Sequence, residues 1–411
     1  MRRREIEEDR IQRYFDEVIG PELQQKRQLR SFAAYGLGLL GDGDRKSCEP
    51  IASRSASGDD DDERVKAAQR GQDRLLHFLG YSPWDDEAVR LAAARYAIAA
   101  FEKFEPVTTW TIDDTGFPKQ GTHSVGVQRQ YSGTLGKVGN CQIGVSLCVA
   151  TSSEHLPVDF ELYLPEKWTS NADLRRETGV PERVVFKTKI DLAIDMIRRA
   201  KRNGIPGDII LADSAYGQVR AFREAVRDEG FDYGVAVQSS TKIWMLDSKG
   251  RRREEPIRCD EYAELLGRSA FRKMTWRDGT KAEMSSTFCF RRVKVDQDDG
   301  RTVAEREPVW MVMEWPEGEK TAKKFMLTTL PRRLSKKDIV RTLKERWRTE
   351  QAYEEMKTEL GLDHFEGRSF RGWHHHVSVV ISCYAFVVAE RRRLFPPSDA
   401  KARTRAEWRA A

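Results

Sequence analysis

FKTKIDLAIDMIRRAKRNG (186–204), DIILADSAYG (208–217), VRAFREAVRDEG (219–230) and FDYGVAVQ (231–238) follow one another in one stretch of chain. In the first segment Leu192, Ile194, Met196 and Ile197 are the apolar anchors of a helix, with Gly204 as its stop. The second is a short continuous apolar run ending on Asp213, the pattern of a buried strand. The third segment is again helical and the fourth again a strand. Alternation of this kind predicts an α/β layer fold.

Working outward, VTTWTIDD (107–114) and CQIGVSLCVAT (141–151) are β-rich, and Asp114 is expected just past the first of these strands. Residues 1 to about 100 are expected to be helical. RVKAAQRGQDRLLHFLG (64–80) and the Ala-rich DDEAVRLAAARYAIAAF (85–101), with acids in its first turn, are the clearest cases. SRSASGDDDDE (53–63) has no period and is expected to be a loop. From 239 to 330 the helical period disappears. AFRKMTW, MSSTFCFRRVKVD, PVWMVMEW and KFMLTTL are four β-type runs that suggest a separate β subdomain. KKDIVRTLKERWRTEQAYEEMKTELGL (336–362) predicts one long helix, followed by a core helix from 377 and a Pro-broken basic tail.

Composition narrows the class. A chain of 411 residues implies two or three domains at ~100–200 residues each. With 39% hydrophobic residues and ten Trp, wholesale disorder is excluded. Lys+Arg 71 against Asp+Glu 65 leaves a net charge of +6, which permits a nucleic-acid partner without demanding one. The six cysteines form no CxxC pair and read as reduced thiols. MRRREIEEDR lacks the apolar segment of a secretory leader. The longest apolar run, VSVVISCYAFVVA (377–389), falls short of the roughly 20 residues that cross a bilayer. A cytoplasmic protein with no membrane partner is expected.

Three carboxylates stand out by position: Asp114 and Asp213 at strand ends, where open α/β sheets gather their sites, and Glu350 in the long helix. Phosphodiester chemistry uses such clusters to hold two divalent cations about 3.5–4 Å apart against the attacking and leaving oxygens. Hard carboxylate oxygens suit Mg²⁺. Arg346, Glu350 and Lys357, spaced +4 and +7, fall on one helical stripe, suited to a phosphate backbone lying over it. Lys119, Arg129 and Lys137 surround the first block with little acid nearby and fit a phosphate-contacting loop. His374, His375 and His376 are adjacent, diverge on a helix, and are expected at a helix-start surface. GFPKQGTH (116–123) lacks the Lys-Ser/Thr of a P-loop.

RWRTEQAYEEMK (346–357) resembles the R-x3-E-x6-K signature of insertion-sequence transposases of the DDE, RNase H-like superfamily. Leu343 stands where the signature has Tyr. IDDTGFPKQGTHSVGVQRQYSGTLGKVGNCQIGVSL (112–147), ELYLPEKW (161–168), ILADSAYG (210–217) and GLDHFEGRSFRGWHHH (361–376) resemble further blocks of one branch, so the likeness covers roughly residues 30–390. It implies an RNase H-like catalytic core interrupted by a β-rich insertion and preceded by a helical region. The expected layout is 1–105 helical, for DNA-end binding or assembly; 106–238 core; 239–330 insertion; 331–395 core helices; 396–411 mobile tail. The 137-residue gap between Asp213 and Glu350 (350 − 213) resembles the branch with the insertion at that place.

The resemblance assigns Asp114, Asp213 and Glu350 as catalytic metal ligands, with Asp113 the alternative to Asp114. Arg346 and Lys357 would hold phosphates, and Phe325 would stack on a flipped base. Mg²⁺, replaceable by Mn²⁺, is the implied cofactor. Terminal-repeat and target DNA are the implied partners of a homodimer in the nucleoid. The implied activity is cleavage at transposon ends and strand transfer. A transposase-derived DNA-binding protein without activity and a non-transposing RNase H-like nuclease are the alternatives.

Overall fold

The computed structural model describes residues 9–247, 255–278, 283–296 and 307–396. The basic tail therefore lies outside the described residues from 397 onward. The principal elements in chain order are helices α1 (Lys26–Leu40), α2 (Cys48–Ser55), α3 (Asp61–Gly80) and α4 (Asp86–Phe101), then strands β1 (Thr109–Pro118), β2 (Gln128–Ser132), β3 (Lys137–Ala150) and β4 (His155–Tyr163). Next come α5 (Lys189–Arg202), β5 (Ile209–Ala212), α6 (Arg220–Asp228), β6 (Asp232–Val237), β7 (Lys242–Met245), β8 (Ile257–Arg258) and α7 (Cys259–Leu266). The rest are β9 (Arg272–Asp278), β10 (Glu283–Val295), β11 (Val309–Trp315), β12 (Lys324–Thr328), α8 (Lys336–Lys344), α9 (Trp347–Leu360) and α10 (Phe370–Leu394). Among the described residues they form two compact units, one of residues 9–107, 113–205 and 348–396, the other of 108–112 and the described parts of 206–347.

The first unit sets α1–α5, α9 and α10 around an antiparallel set of strands. β3 pairs β2 over Lys137–Cys141 and β4 over Ile143–Ala150, and also neighbours β1. The Asp run expected as a loop is a helix start instead. Asp60 caps α3 by accepting Glu63 N at 2.7 Å, and Asp61 and Asp62 lie in the first turn. Carboxylates there meet unpaired N–H groups and the positive end of the helix dipole. Buried charge also ties this unit together. Arg90 pairs with Asp86 and Asp159, Arg199 with Asp159 and Glu161, and His374 with Glu161, linking α4, β4, α5 and α10.

The three histidines expected at a helix-start surface are instead buried. α10 is enclosed around its circumference, so residues pointing 100° apart all meet protein. His375 Nε2 faces Trp84 O at 3.2 Å, and His376 lies between Tyr35 Oη at 2.9 Å and Leu362 O at 3.1 Å.

In the second unit β1 pairs β5 and β5 pairs β6 in parallel, with Ile112 opposite Ala212 and Ala212 opposite Val235. β12 then pairs β6 antiparallel, and β11, β10, β7 and β8 continue the same sheet, with β9 on β10. The strands of the 239–330 segment therefore lengthen the sheet of β5 and β6. That segment also contains α7, a helix the period did not reveal. Ile339, Val340 and Leu343 of α8 seal a core of Ile209, Leu211, Phe288, Phe290, Val312 and Met326. Leu343 packs so close to Gly234 that a Cβ there would lie 2.3 Å from its Cδ2.

The single helix expected over 336–362 is two. α8 ends at Lys344 and α9 starts at Trp347, so Arg346 sits in the turn and Glu350 in the first turn of α9.

Candidate active site

β1 runs to Pro118, so Asp113 and Asp114 lie inside the strand and not past its end. Successive side chains of a strand point to opposite faces. Thr115 and Phe117 mark one face: Thr115 Oγ1 accepts Lys357 Nζ of α9 at 2.8 Å, and the Phe117 ring meets Trp373 of α10 edge-on. Asp113 shares that face. It is buried, and its Oδ1 accepts Asp114 N at 2.9 Å. Asp114 projects to the other face, where its Oδ2 accepts Lys189 Nζ of α5 at 2.9 Å. By the pleat, Asp113 shares the face of Thr115, which meets α9, and Asp114 the face that meets Lys189. Which face α9 covers is a tertiary fact, and the dipeptide alone does not carry it.

α9 is held against these strands by polar contacts one turn apart. Lys357 Nζ donates to Thr115 Oγ1 and, at 2.9 Å, to Gly116 O, and lies over the Phe117 ring at 5.4 Å. Burial pulls its ammonium below the usual lysine range. Tyr353 Oη bonds Ser146 Oγ of β3 at 2.6 Å, and burial pushes its phenol well above the ordinary value. A hydrogen bond from Thr349 reaches the buried Cys148 thiol, which burial raises to about 12. Glu350, beside Thr349, is exposed.

The glycine at 116 is required. A Cβ there would fall 2.0 Å from Ser132 Oγ, and the space lets Thr134 Oγ1 accept Gly116 N at 3.1 Å. The β2–β3 hairpin is thereby pinned to β1. Arg129 and Lys137 are exposed on that hairpin, as a phosphate contact requires, with Tyr131 between them 63% exposed. Lys119 is turned inward, donating to Phe365 O at 2.6 Å, with its pKa lowered by burial. Lys119 and Lys357 therefore bond protein oxygens where phosphate contacts were expected.

Asp213 belongs to the second unit. It follows β5 and caps the next turn, its Oδ1 accepting Ala215 N at 2.9 Å and Tyr216 N at 3.4 Å. Phe325 is 2% exposed and paired between Val237 and Met313, so it offers no face to a base. Thr115, Tyr353 and Lys189 were missed from sequence. A cation in the first turn of α5, against the helix dipole, was the available signal for Lys189.

Among the described residues no group of three or more His, Cys, Asp or Glu side chains gathers in an arrangement that could hold a metal ion. No helix among them is long and apolar enough to cross a membrane. The six cysteines are free and buried. A cavity of about 750 Å³ in the first unit is lined by Trp84, Arg90, Glu161, Arg199, Arg371 and His374 among others, and by neither Asp114 nor Glu350.

Residues 19–283 match the family model described as DDE superfamily endonuclease. The chain is 31% identical over 176 residues to a probable transposase for insertion sequence element IS701 from Microchaete diplosiphon, an alignment covering 43% of each protein. The chain thus spans less than half the length of that curated relative. A solved piggyBac transposase synaptic complex with hairpin DNA aligns at TM-score 0.43 and 13% identity, over 94% of this chain and 70% of that one.

Proposed function

The chain belongs to the DDE superfamily endonucleases, and from that premise we propose that it is a DNA transposase, cutting at the ends of a mobile element and joining them to target DNA. Membership implies dependence on a divalent metal ion. Similarity to a probable transposase of an insertion sequence element supports the narrower reading. The observation that carries it is the register of β1 and β5. Ile112 stands opposite Ala212 in parallel strands of the second unit, and each is followed in sequence by an aspartate, Asp113 and Asp213. Asp113 shares its face with the helix that bears Glu350.

We assign the three carboxylates to Asp113, Asp213 and Glu350, with Asp114 neutralised by Lys189. The donor set is all hard oxygen, without thiolate or imidazole, a chemistry that suits Mg²⁺, with Mn²⁺ able to replace it, although the three carboxylates do not form a metal-holding group in the structure as it stands. When bound, the metal would acidify an attacking water or 3′-hydroxyl and stabilise the leaving oxygen. The chain's own part is to fix the carboxylates: Asp113 by its bond to Asp114 N, Asp213 by capping, Glu350 through the anchoring of α9. Arg129 and Lys137, exposed on the hairpin, and Arg346 contact backbone phosphates. The helical region of the first 105 residues binds the element's ends or pairs protomers. Two ends must meet, so the acting species is a homodimer on DNA in the bacterial-type nucleoid.

Asp113→Asn, Asp213→Asn and Glu350→Gln each reduce Mg²⁺-dependent cleavage of DNA to background with the circular dichroism spectrum unchanged, whereas Asp114→Asn retains it. Full cleavage by Glu350→Gln would refute the assignment. Loss in Asp114→Asn with activity in Asp113→Asn would restore the motif-based choice. Specific binding without cutting by the wild type would identify a DNA-binding derivative.

A further inference from the structure

We propose that Lys357 and Thr115 are positioning residues that set where Glu350 stands relative to Asp113, so that Lys357 acts through the protein and not as a phosphate ligand. The inference rests on the assignment of Asp113 and Glu350 to the metal site. The Lys357 amine is directed by two acceptors on the strand of Asp113, Thr115 Oγ1 at 2.8 Å and Gly116 O at 2.9 Å, with the Phe117 ring beneath it. Thr115 lies two residues beyond Asp113 on the same face, and Lys357 two helical turns beyond Glu350. The bond therefore joins the two elements that carry the carboxylates. Thr115 is itself fixed, since its Oγ1 lies 3.3 Å from Thr134 Oγ1 at the hairpin turn. Phe117 is wedged against Phe160 and Trp373. Tyr353, between Glu350 and Lys357, adds its bond to Ser146 on β3. The first turn of α9, which carries the exposed Glu350, is thus braced from below by the buried contacts of Tyr353 and Lys357. Groups outside the ligand set that orient metal ligands typically change metal affinity 10–100-fold when removed.

A phosphate contact and a positioning contact make different predictions. A lysine on a DNA phosphate contributes about 0.9 to the slope of log affinity against log salt. A positioning lysine contributes nothing to that slope and acts on metal affinity even without DNA. The test uses the full chain with Lys357→Met, Thr115→Val, the double variant and Glu350→Gln. Mn²⁺ binding is measured by electron paramagnetic resonance without DNA, and duplex binding across a salt series. Lys357→Met and Thr115→Val should each weaken Mn²⁺ binding about tenfold, the double variant no further, with the salt slope unchanged. Thr115→Val is decisive because it removes no charge and keeps the side chain's shape. If Lys357→Met lowers the salt slope while both variants leave Mn²⁺ affinity intact, Lys357 is a phosphate ligand and the proposal fails. If Glu350→Gln also leaves Mn²⁺ binding intact, the site assignment itself has failed. Unfolding of Lys357→Met would leave Thr115→Val to decide alone.

Discussion

The two units are built on opposite solutions to the same problem. The first buries many polar and ionisable side chains. Arg90, Asp159, His155, His375 and His376 are all enclosed, each with named partners. The second builds its core from a sheet of apolar side chains, Phe288, Phe290 and Val312 against Ile339 and Leu343, and its sequence contains no histidine at all. Asp113 and Glu350 sit in the polar unit, where directed bonds fix the orientation of strand and helix. Behind α9 the directed bonds of Tyr353 and Lys357 add to close packing.

Acidification should separate the units most strongly. Burial holds His375 and His376 down to about 4 and His155 to about 3, against an ordinary value of 6.5. A base with a depressed folded-state pKa contributes stability above pH 6.5, and the contribution is lost as pH falls toward 4. By pH 4.5 the loss is on the order of 2–3 kcal/mol for each histidine. His374 runs the other way. Burial lowers it, but the hydrogen bond and charge of Glu161 raise it further, so its contribution is complete below 6.5 and fades as pH rises through the raised value. The net effect is destabilising in acid. Hydrogen exchange between pH 7.5 and 4.5 should show protection lost first in peptides of 370–394, and later in 309–328. Simultaneous loss would dissolve the contrast.

Phe288→Ala probes the other side of it. Emptying a fully buried aromatic position costs about 3–5 kcal/mol, and that cost should be the same at pH 7.5 and pH 5, measured by urea unfolding. A pH-dependent cost would mean that the second core has titrating neighbours. The smallest effect belongs to Asp60→Ala, which removes the cap of α3 and should cost about 1 kcal/mol, seen as faster exchange confined to its first turns.

The apolar unit was the more legible. Short apolar runs such as IILA and β-type runs such as KFMLTT announce strands, and all four β-type runs of the insertion are strands. Their joining to β6 was not legible, because pairing partners are chosen by surfaces far apart in sequence. The break at 345–346 was hidden for a similar reason. KERWRT suits a helix locally, but α8 buries Ile339, Val340 and Leu343 while α9 buries Ala352, Tyr353 and Met356, in different cores. In the proposed site, motif spacing is what points to Glu350 and Asp213, and the proposed choice of Asp113 over Asp114 rests on which face of β1 meets α9. Lys357 shows the limit most clearly. Its charge could be read from the sequence, but its partners could not.

The most direct test incubates DNA carrying both junctions of the element that encodes this chain with Mg²⁺ and either the wild-type protein or Glu350→Gln, and maps the products at nucleotide resolution. Cuts at both junctions by the wild type, absent with Glu350→Gln, are the predicted result. Cuts scattered without regard to the junctions, or equal cutting by the variant, would contradict it.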